Sequence, residues 1–126
     1  MDYLVERNNL YYKKFTNVRF TGEISGEKNG SFKKGKKDGE WLSYHENGQL
    51  EEKVNFQDGI LHGLQEVYDK NGQLLGREVF KLGILDGLSE YYHDNGHLMS
   101  KGIYKNGKKA DIWEDYIGHG SILTEK

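Results

Sequence analysis

The sequence contains no cysteine and no proline. Without cysteine the chain can form neither a disulfide bond nor a thiolate metal site, and the redox compartment stays undetermined. The lack of proline excludes a proline-rich linker or tail. Hydrophobic residues make up only 35% of the chain, and no apolar run approaches the roughly 18 residues that a membrane-spanning helix needs. The formal net charge is −2, which provides no electrostatic case for nucleic-acid binding.

The start of the chain has little of what directs secretion. Met1 is not followed by a positively charged and then apolar segment. We therefore expect a soluble, cytoplasmic protein. The alternative is an exported protein from which a signal peptide has been removed.

Glycine and aromatic residues are plentiful, with 17 Gly, 9 Tyr, 5 Phe and 2 Trp. They recur at a fixed spacing. The segments 39–50, 63–74 and 87–98 follow one another at a period of 24 residues and share the pattern G-x-x-x-x-Y-x-x-N-G-x-L. A fixed period of this size indicates a repeat architecture, in which each unit packs against its neighbours. A thin array of repeats also needs less apolar material than a compact globule.

Each repeat contains Asn-Gly, a strong hairpin signal, because a type I′ turn requires positive φ at both central residues. Placing that dipeptide at the turn centre fixes a register. The predicted pairs include Gly39–Phe56, Leu42–Lys53, Tyr44–Glu51, Leu64–Val79, Glu66–Arg77, Tyr68–Leu75, Leu88–Ile103, Glu90–Lys101 and Tyr92–Met99. The opposite-charge and aliphatic pairs are each worth roughly 0.2–1 kcal/mol. The predicted fold is all-β: an elongated single-layer antiparallel sheet of tandem 24-residue β-hairpin repeats.

We expect a single domain over residues 1–126. Residues 2–35 are predicted to form an N-terminal hairpin, turning at Asn8-Asn9, and a degenerate repeat that caps the array. Residues 36–107 contain three full repeats, and residues 108–126 form a closing strand and a tail. A second turn in each repeat, such as Asp58-Gly59, leads the chain to the next hairpin.

The repeated pattern resembles the variant MORN repeat, and the leader over residues 4–22 is similar to that of bacterial chains in the YwqK family of antitoxins. The resemblance covers roughly residues 4–116. It implies a curved, elongated antiparallel sheet of successive hairpins and a role in protein contact. Contact with membrane lipids, proposed for some eukaryotic relatives, is a further implication of the resemblance.

Two aromatic rows follow from the register, and they point to opposite faces of the sheet. A single-layer sheet cannot bury both faces in itself, and large exposed apolar patches mark interaction sites. Tyrosine and tryptophan are also enriched among binding hot spots. The candidate partner-binding residues are Trp41, Tyr44, Tyr68, Tyr91, Tyr92, Trp113 and Tyr116. The alternative is that curvature of the array lets these rows pack on themselves.

The histidines offer a weaker candidate. His93 and His97 flank a turn and are expected to lie near each other. A metal site would need three or four converging ligands. We therefore interpret them as solvated turn residues and predict no metal and no cofactor.

A column of carboxylates is another candidate, because Glu66, Glu90 and Glu114 recur at one position of the repeat. Paired carboxylates can act as acid and base when burial shifts one pKa. Basic residues are predicted opposite two of them, so the favoured interpretation is a surface ion-pair ladder.

The lysine cluster at residues 33–37 could attract phosphate or an anionic lipid head group. Asp38 and Glu40 follow at once, which favours a solvated turn between repeats.

These patterns predict a non-catalytic protein–protein interaction module in a bacterial or phage setting, in one version an antitoxin-like inhibitor that neutralises a toxin or an enzyme. The alternative is a structural or envelope-associated repeat protein that binds lipid or glycan. The chain is expected to be a monomer or an edge-strand dimer.

Overall fold

The computed structural model describes residues 4–14, 18–110, 113–116 and 122–125. Fifteen β-strands run through these residues. The strands are β1 (Leu4–Arg7), β2 (Leu10–Lys13), β3 (Gly22–Ile24), β4 (Lys28–Lys33), β5 (Lys36–Tyr44), β6 (Leu50–Gln57), β7 (Ile60–Leu61), β8 (Gly63–Tyr68), β9 (Leu74–Lys81), β10 (Ile84–Leu85), β11 (Gly87–Tyr92), β12 (Leu98–Lys105), β13 (Lys108–Lys109), β14 (Trp113–Tyr116) and β15 (Ile122–Glu125).

Strands β1 and β2 form a two-stranded hairpin, and the other thirteen strands belong to one sheet. Along this sheet the neighbours are β3, β4, β5, β6, β8, β9, β11, β12, β14 and β15 in that order. The short strands β7, β10 and β13 pair with β6, β9 and β12. The pairings are antiparallel and mostly join strands that are close in sequence. The prediction of an all-β antiparallel sheet of consecutive hairpins is confirmed.

Alternation of side chains along the strands gives the sheet two chemically different faces. Where β5 pairs with β6, Trp41 lies opposite Val54 on one face, and Leu42 lies opposite Lys53 on the other. We call the first the aromatic face; it carries Phe32, Trp41, Phe56, Tyr91, Tyr104 and Trp113. We call the second the charged face; it carries Lys53, Glu66, Arg77, Glu90, Lys101 and Glu114. The predicted placement of two rows on opposite faces is therefore correct.

The largest buried cluster lies on the aromatic face near the start of the sheet and consists of Ile24, Phe32, Trp41 and Val54. The β1–β2 hairpin covers it. The Tyr11 N–H donates to the Gly35 carbonyl at 2.7 Å, and the Tyr11 ring packs on that of Phe32 with centroids 4.6 Å apart. The predicted hairpin turn is confirmed, because Asn8 and Asn9 both have positive φ. The N-terminal segment thus caps the end of the array.

The predicted register is correct over most of each hairpin. Pairs found as predicted are Gly39–Phe56, Leu42–Lys53, Leu64–Val79, Glu66–Arg77, Leu88–Ile103 and Glu90–Lys101. The last pair before each tip is wrong. Tyr44 pairs with Leu50, Tyr68 with Leu74 and Tyr92 with Leu98, because a bulge shifts the register by one residue.

The turn type explains this error. Gly48 has a φ of 87°, but Asn47 is not among the residues with positive φ. The His45 carbonyl accepts the Gly48 N–H at 3.0 Å, and the Asn47 side chain accepts the Gln49 N–H at 2.9 Å. This is a three-residue loop whose glycine provides the left-handed position. Asparagine serves here as a side-chain acceptor for the backbone two residues on, and not as a left-handed residue.

Type I′ turns occur instead at the second turn of each repeat. Both central residues have positive φ in the pairs Lys34-Gly35, Asp58-Gly59, Leu82-Gly83 and Asn106-Gly107. Each such turn is also joined to the repeat before it. The Gly59 N–H donates to the Lys37 carbonyl at 2.8 Å, and the Gly83 N–H donates to the Leu61 carbonyl at 2.7 Å. The second turns therefore line up along one edge of the sheet.

Candidate partner-binding surfaces

The two tryptophans occupy equivalent positions near opposite ends of the array, and both are buried. Trp41 is 4% exposed and Trp113 is 5% exposed. Each indole covers a glycine of the neighbouring strand. A Cβ atom added to Gly30 would lie 2.1 Å from the Trp41 ring, and one added to Gly102 would lie 2.4 Å from the Trp113 ring. These two candidate residues belong to the interior and offer a partner almost no accessible surface.

A lysine four residues before each tryptophan lies over its ring. The Lys37 Nζ is 4.8 Å from the Trp41 ring centroid and 5.3 Å from that of Phe56, and the Lys109 Nζ is 4.4 Å from the Trp113 centroid. An ammonium over an aromatic face is attracted by the ring quadrupole. Burial, followed by the nearby positive charge of Lys28, lowers the pKa of Lys37. Lysine therefore accounts for part of the cover over both indoles.

Tyr91 is engaged within the protein on the aromatic face. Its ring stacks on that of Trp113 with centroids 6.4 Å apart and an interplanar angle of 23°. Its hydroxyl donates a hydrogen bond to the Glu78 carboxylate. Burial, and then this hydrogen bond, raises the pKa of Tyr91 well above its ordinary value. The half-buried ring still lines a shallow cleft of about 180 Å³ together with neighbouring residues of β8 and β9.

The tyrosines of the repeated pattern lie on the charged face and are half-buried. The Tyr44 hydroxyl accepts a hydrogen bond from the Asn29 Nδ2 at 3.3 Å. Burial raises the pKa of Tyr68 and of Tyr92, and a glutamate two residues earlier on the same strand raises each further. Tyr116 lies in β14, and its side chain falls outside the described part of the chain. The described members of this row keep one ring side open to a partner.

The predicted ion-pair ladder crosses the charged face beside these tyrosines. The Arg77 guanidinium lies 2.7 Å from the Glu66 carboxylate and 3.8 Å from that of Glu90, and the Lys101 Nζ lies 3.7 Å from the Glu114 carboxylate. The hydrogen bond to Glu66 raises the pKa of Arg77. Glu66 is only 7% exposed, so this end of the ladder is not a surface feature as predicted. It is a partly buried ion pair.

The histidines of the tips serve the backbone in the described residues. The His93 N–H donates to the His97 carbonyl at 2.8 Å, which closes the third tip. In the first tip, the His45 Nε2 faces the Tyr68 carbonyl at 2.9 Å, and its Nδ1 lies 3.4 Å from the Glu51 carboxylate. Within the described residues, no three His, Asp or Glu side chains are grouped so that they could hold a metal ion.

The lysine cluster does not act as one group. Lys34 occupies the left-handed position of a type I′ turn, and Lys36 is exposed beside the next turn. Lys37 points to the aromatic face instead. Only the members at the turn remain open to an external anion.

Sequence reasoning missed an exposed aliphatic surface on the charged face. Leu88 pairs with Ile103, and each is 43% exposed. The half-buried pair Leu64–Val79 occupies the equivalent place one repeat earlier. A Cβ atom on Gly87 would lie 3.1 Å from the Val79 Cβ, which places the two pairs side by side. We call the residues Leu64, Val79, Leu88 and Ile103 the aliphatic strip.

A signal for this strip was present in the sequence. The first repeat carries polar residues, Glu40 and Asn55, where the second and third repeats carry aliphatic ones. Because exposed positions of a repeat are normally polar, an apolar change confined to neighbouring repeats indicates a shared use.

Comparison with known sequence families agrees with the repeat boundaries. The model of a family described as "MORN repeat variant" matches residues 37–58, 61–82 and 85–106, which together make up slightly more than half of the chain. Repeats of that family are generally protein- or membrane-binding modules and are not typically catalytic. No curated protein matches the chain in sequence. Among the described residues there is no helix with the length and apolar character needed to cross a membrane.

Proposed function

This chain belongs to the MORN repeat variant family, and from that premise we propose that it is a non-catalytic protein-binding module whose contact surface is the charged face. The observation that carries this proposal is the aliphatic strip. Leu88 and Ile103 are large apolar side chains that remain 43% exposed at the middle of a strand pair. Exposed apolar groups that lie together mark interaction sites.

The surroundings of the strip have the layout of a protein interface, with an apolar centre and a polar rim. On the same face, the ion-pair ladder of Glu66, Arg77, Glu90 and Lys101 runs beside it. Beyond the ladder lie the half-buried rings of the tyrosine row. A partner that covers the strip therefore also meets fixed charges and phenol groups. Charges arranged in this way favour the correct partner and its orientation more than they raise affinity.

The proposal extends to antitoxin-like inhibition of a toxin or an enzyme. A sheet face that covers a partner can block access to the partner's own site without any chemistry of its own. Each exposed aliphatic side chain that becomes buried would contribute about 1–2 kcal/mol, since full burial of such a residue is worth about 1.5–3 kcal/mol. The matching test of inhibition is to titrate the purified chain against the activity of the captured partner.

The test of binding replaces strip residues by those that the first repeat carries at the same positions, giving Leu88→Glu with Ile103→Asn. These residues already occur in this fold as Glu40 and Asn55, so the variant is expected to fold. We expect affinity capture from the source organism to yield one stoichiometric protein with the parent chain. The variant is expected to lose it, and calorimetry with the purified partner should show at least about tenfold weaker binding.

The matched control is Leu82→Asn, which makes an equivalent apolar-to-polar change at an exposed turn outside the strip. It copies Asn106 of the next turn. Retention of the partner by the control and loss by the strip variant supports the proposal. Equal retention by both would assign binding to another surface, and a catalytic activity of the purified chain would contradict a non-catalytic module.

A further inference from the structure

The edge of the sheet that holds the second turns is strongly basic. Its four turns cover residues 33–36, 57–60, 81–84 and 105–108 and contain six lysines, no arginine and one carboxylate, Asp58. The six lysines are all exposed, and none takes part in the ion pairs found among the described residues. Neighbouring turns are two strands apart, or about 10 Å. We call this line of turns the basic edge.

Leu82 stands out on this edge because two of its properties are unfavourable in the isolated chain. Its φ is 49°, a left-handed conformation that a bulky apolar residue rarely adopts. The other second turns place Lys34, Asp58 and Asn106 at this position. Leu82 is also 56% exposed. A strained residue that persists on a surface points to a use for its side chain.

The turn holds Leu82 in this outward position. The Leu82 N–H donates to the His62 Nδ1 at 3.1 Å, and the Gly83 N–H donates to the Leu61 carbonyl at 2.7 Å. On either side, Ile60 and Ile84 are exposed aliphatic residues of the same line of turns. The basic edge thus presents an apolar group at its centre, with lysine-bearing turns at both ends.

We propose that the basic edge binds the surface of a membrane that contains anionic lipids, with Leu82 and its isoleucine neighbours entering the interfacial region and the lysines meeting the head groups. An apolar insertion and a polybasic patch are the two signals that together give stable peripheral attachment. Lysine side chains can reach the head groups while their methylene stems cover apolar surface. This proposal is independent of the aliphatic strip and of the protein partner.

The kind of cation favours a lipid surface over a protein. Protein interfaces are enriched in arginine and aromatic residues and depleted in lysine. Arginine also pairs with protein carboxylates in a fixed bidentate geometry, whereas lysine is a mobile, hydrated point charge. The four turns contain lysine, leucine and isoleucine but neither arginine nor an aromatic residue. Diffuse attraction to many head groups fits this composition.

The experiment is vesicle flotation of the intact chain. One set of vesicles mixes phosphatidylcholine with phosphatidylglycerol, and the other contains phosphatidylcholine alone. We expect binding to the mixed vesicles only, weakening as salt is added because the charges are exposed. Leu82→Asn should bind about tenfold more weakly, and Lys105→Gln with Lys108→Gln should also lose binding. The strip variant, Leu88→Glu with Ile103→Asn, should bind as the parent does.

Thermal unfolding completes the test, because Leu82→Asn relieves the left-handed leucine and should unfold at a temperature no lower than the parent. Weaker flotation by a variant of undiminished stability supports the proposal. It is overturned if neither vesicle binds, if both bind equally, or if Leu82→Asn floats like the parent. Loss of a captured protein by Leu82→Asn, without vesicle binding, would overturn it as well and assign the edge to a protein partner.

Discussion

At the scale of single residues, the two glycines beneath the tryptophans are the most constrained positions of the array. Gly30 is not in the left-handed region, so its backbone would accept another residue. Its restriction is steric, because the Trp41 ring fills the space where a side chain would begin. The same arrangement recurs 72 residues later at Gly102 and Trp113. A large side chain and its absence therefore form one packing unit.

We predict that Gly30→Ala lowers the free energy of unfolding by about 3 kcal/mol, the upper part of the range for an overpacked core. Gly48→Ala is the control, because Gly48 has a left-handed φ and open space around it. It should cost only about 1 kcal/mol, the penalty of the backbone conformation. Denaturant unfolding of both variants measures the difference. Equal losses would show that the indole moves aside at little cost.

The tryptophans also show where residue types alone mislead. Two tryptophans on one face of a thin sheet suggested an exposed binding row. Their burial depends on glycines of the neighbouring strand, which sequence spacing does not reveal until the strand register is known. The 72-residue spacing shared by both pairs was visible in the sequence, but its meaning needed the pairing of β4 with β5 and of β12 with β14.

At the scale of elements, strands β8, β9 and β11 are joined by one arginine. Arg77 on the central strand reaches Glu66 on one side and Glu90 on the other. Glu66 is buried, so its charge depends on this partner. At the exposed end of the ladder, Lys101 and Glu114 are both partly solvated, and such pairs contribute little.

We predict that Arg77→Ala destabilises the protein by about 2–3 kcal/mol. The loss reflects the buried carboxylate left without its cation, reduced because Arg77 itself is partly exposed. Lys101→Ala is the matched control and should cost no more than about 0.5 kcal/mol. Chemical denaturation at neutral pH provides both values. A similar loss in both variants would mean that Glu66 finds water when its partner is removed.

The period of 24 residues, the hairpins and most of the cross-strand pairs followed from the sequence because side-chain alternation and pair chemistry fix a register. The tips did not follow. Asn-Gly is compatible with a two-residue turn and with a three-residue loop, and the choice depends on whether the Asn47 side chain accepts the Gln49 N–H. The exposure of Leu88 and Ile103 was equally out of reach, since alternation assigns a face but not what covers it.

At the scale of the whole molecule, the repeats are the units of stability. Each contacts its neighbours through the same strand pairings, shifted by one period. In such arrays stability is approximately a sum over repeats and their interfaces.

We predict that deletion of residues 60–83 leaves a folded, shorter protein, because Ile84 then follows Gly59 just as Ile60 does in the parent. Deletion of residues 60–71 should abolish cooperative unfolding, since it removes a strand and its turn but keeps their partner. Circular dichroism with thermal unfolding distinguishes the two. The same behaviour in both deletions would contradict a modular array.

The hydrogen bonds of the second turns run in one direction along the chain. The glycine of each turn donates to a carbonyl that was made earlier: Gly59 to Lys37, Gly83 to Leu61 and Gly107 to Leu85. No later segment is needed for these turns to close. As the polypeptide leaves the ribosome, each new repeat therefore meets a template that is already in place. The chain can add hairpins in order of synthesis, and the N-terminal cap that protects the first one is the earliest part to emerge.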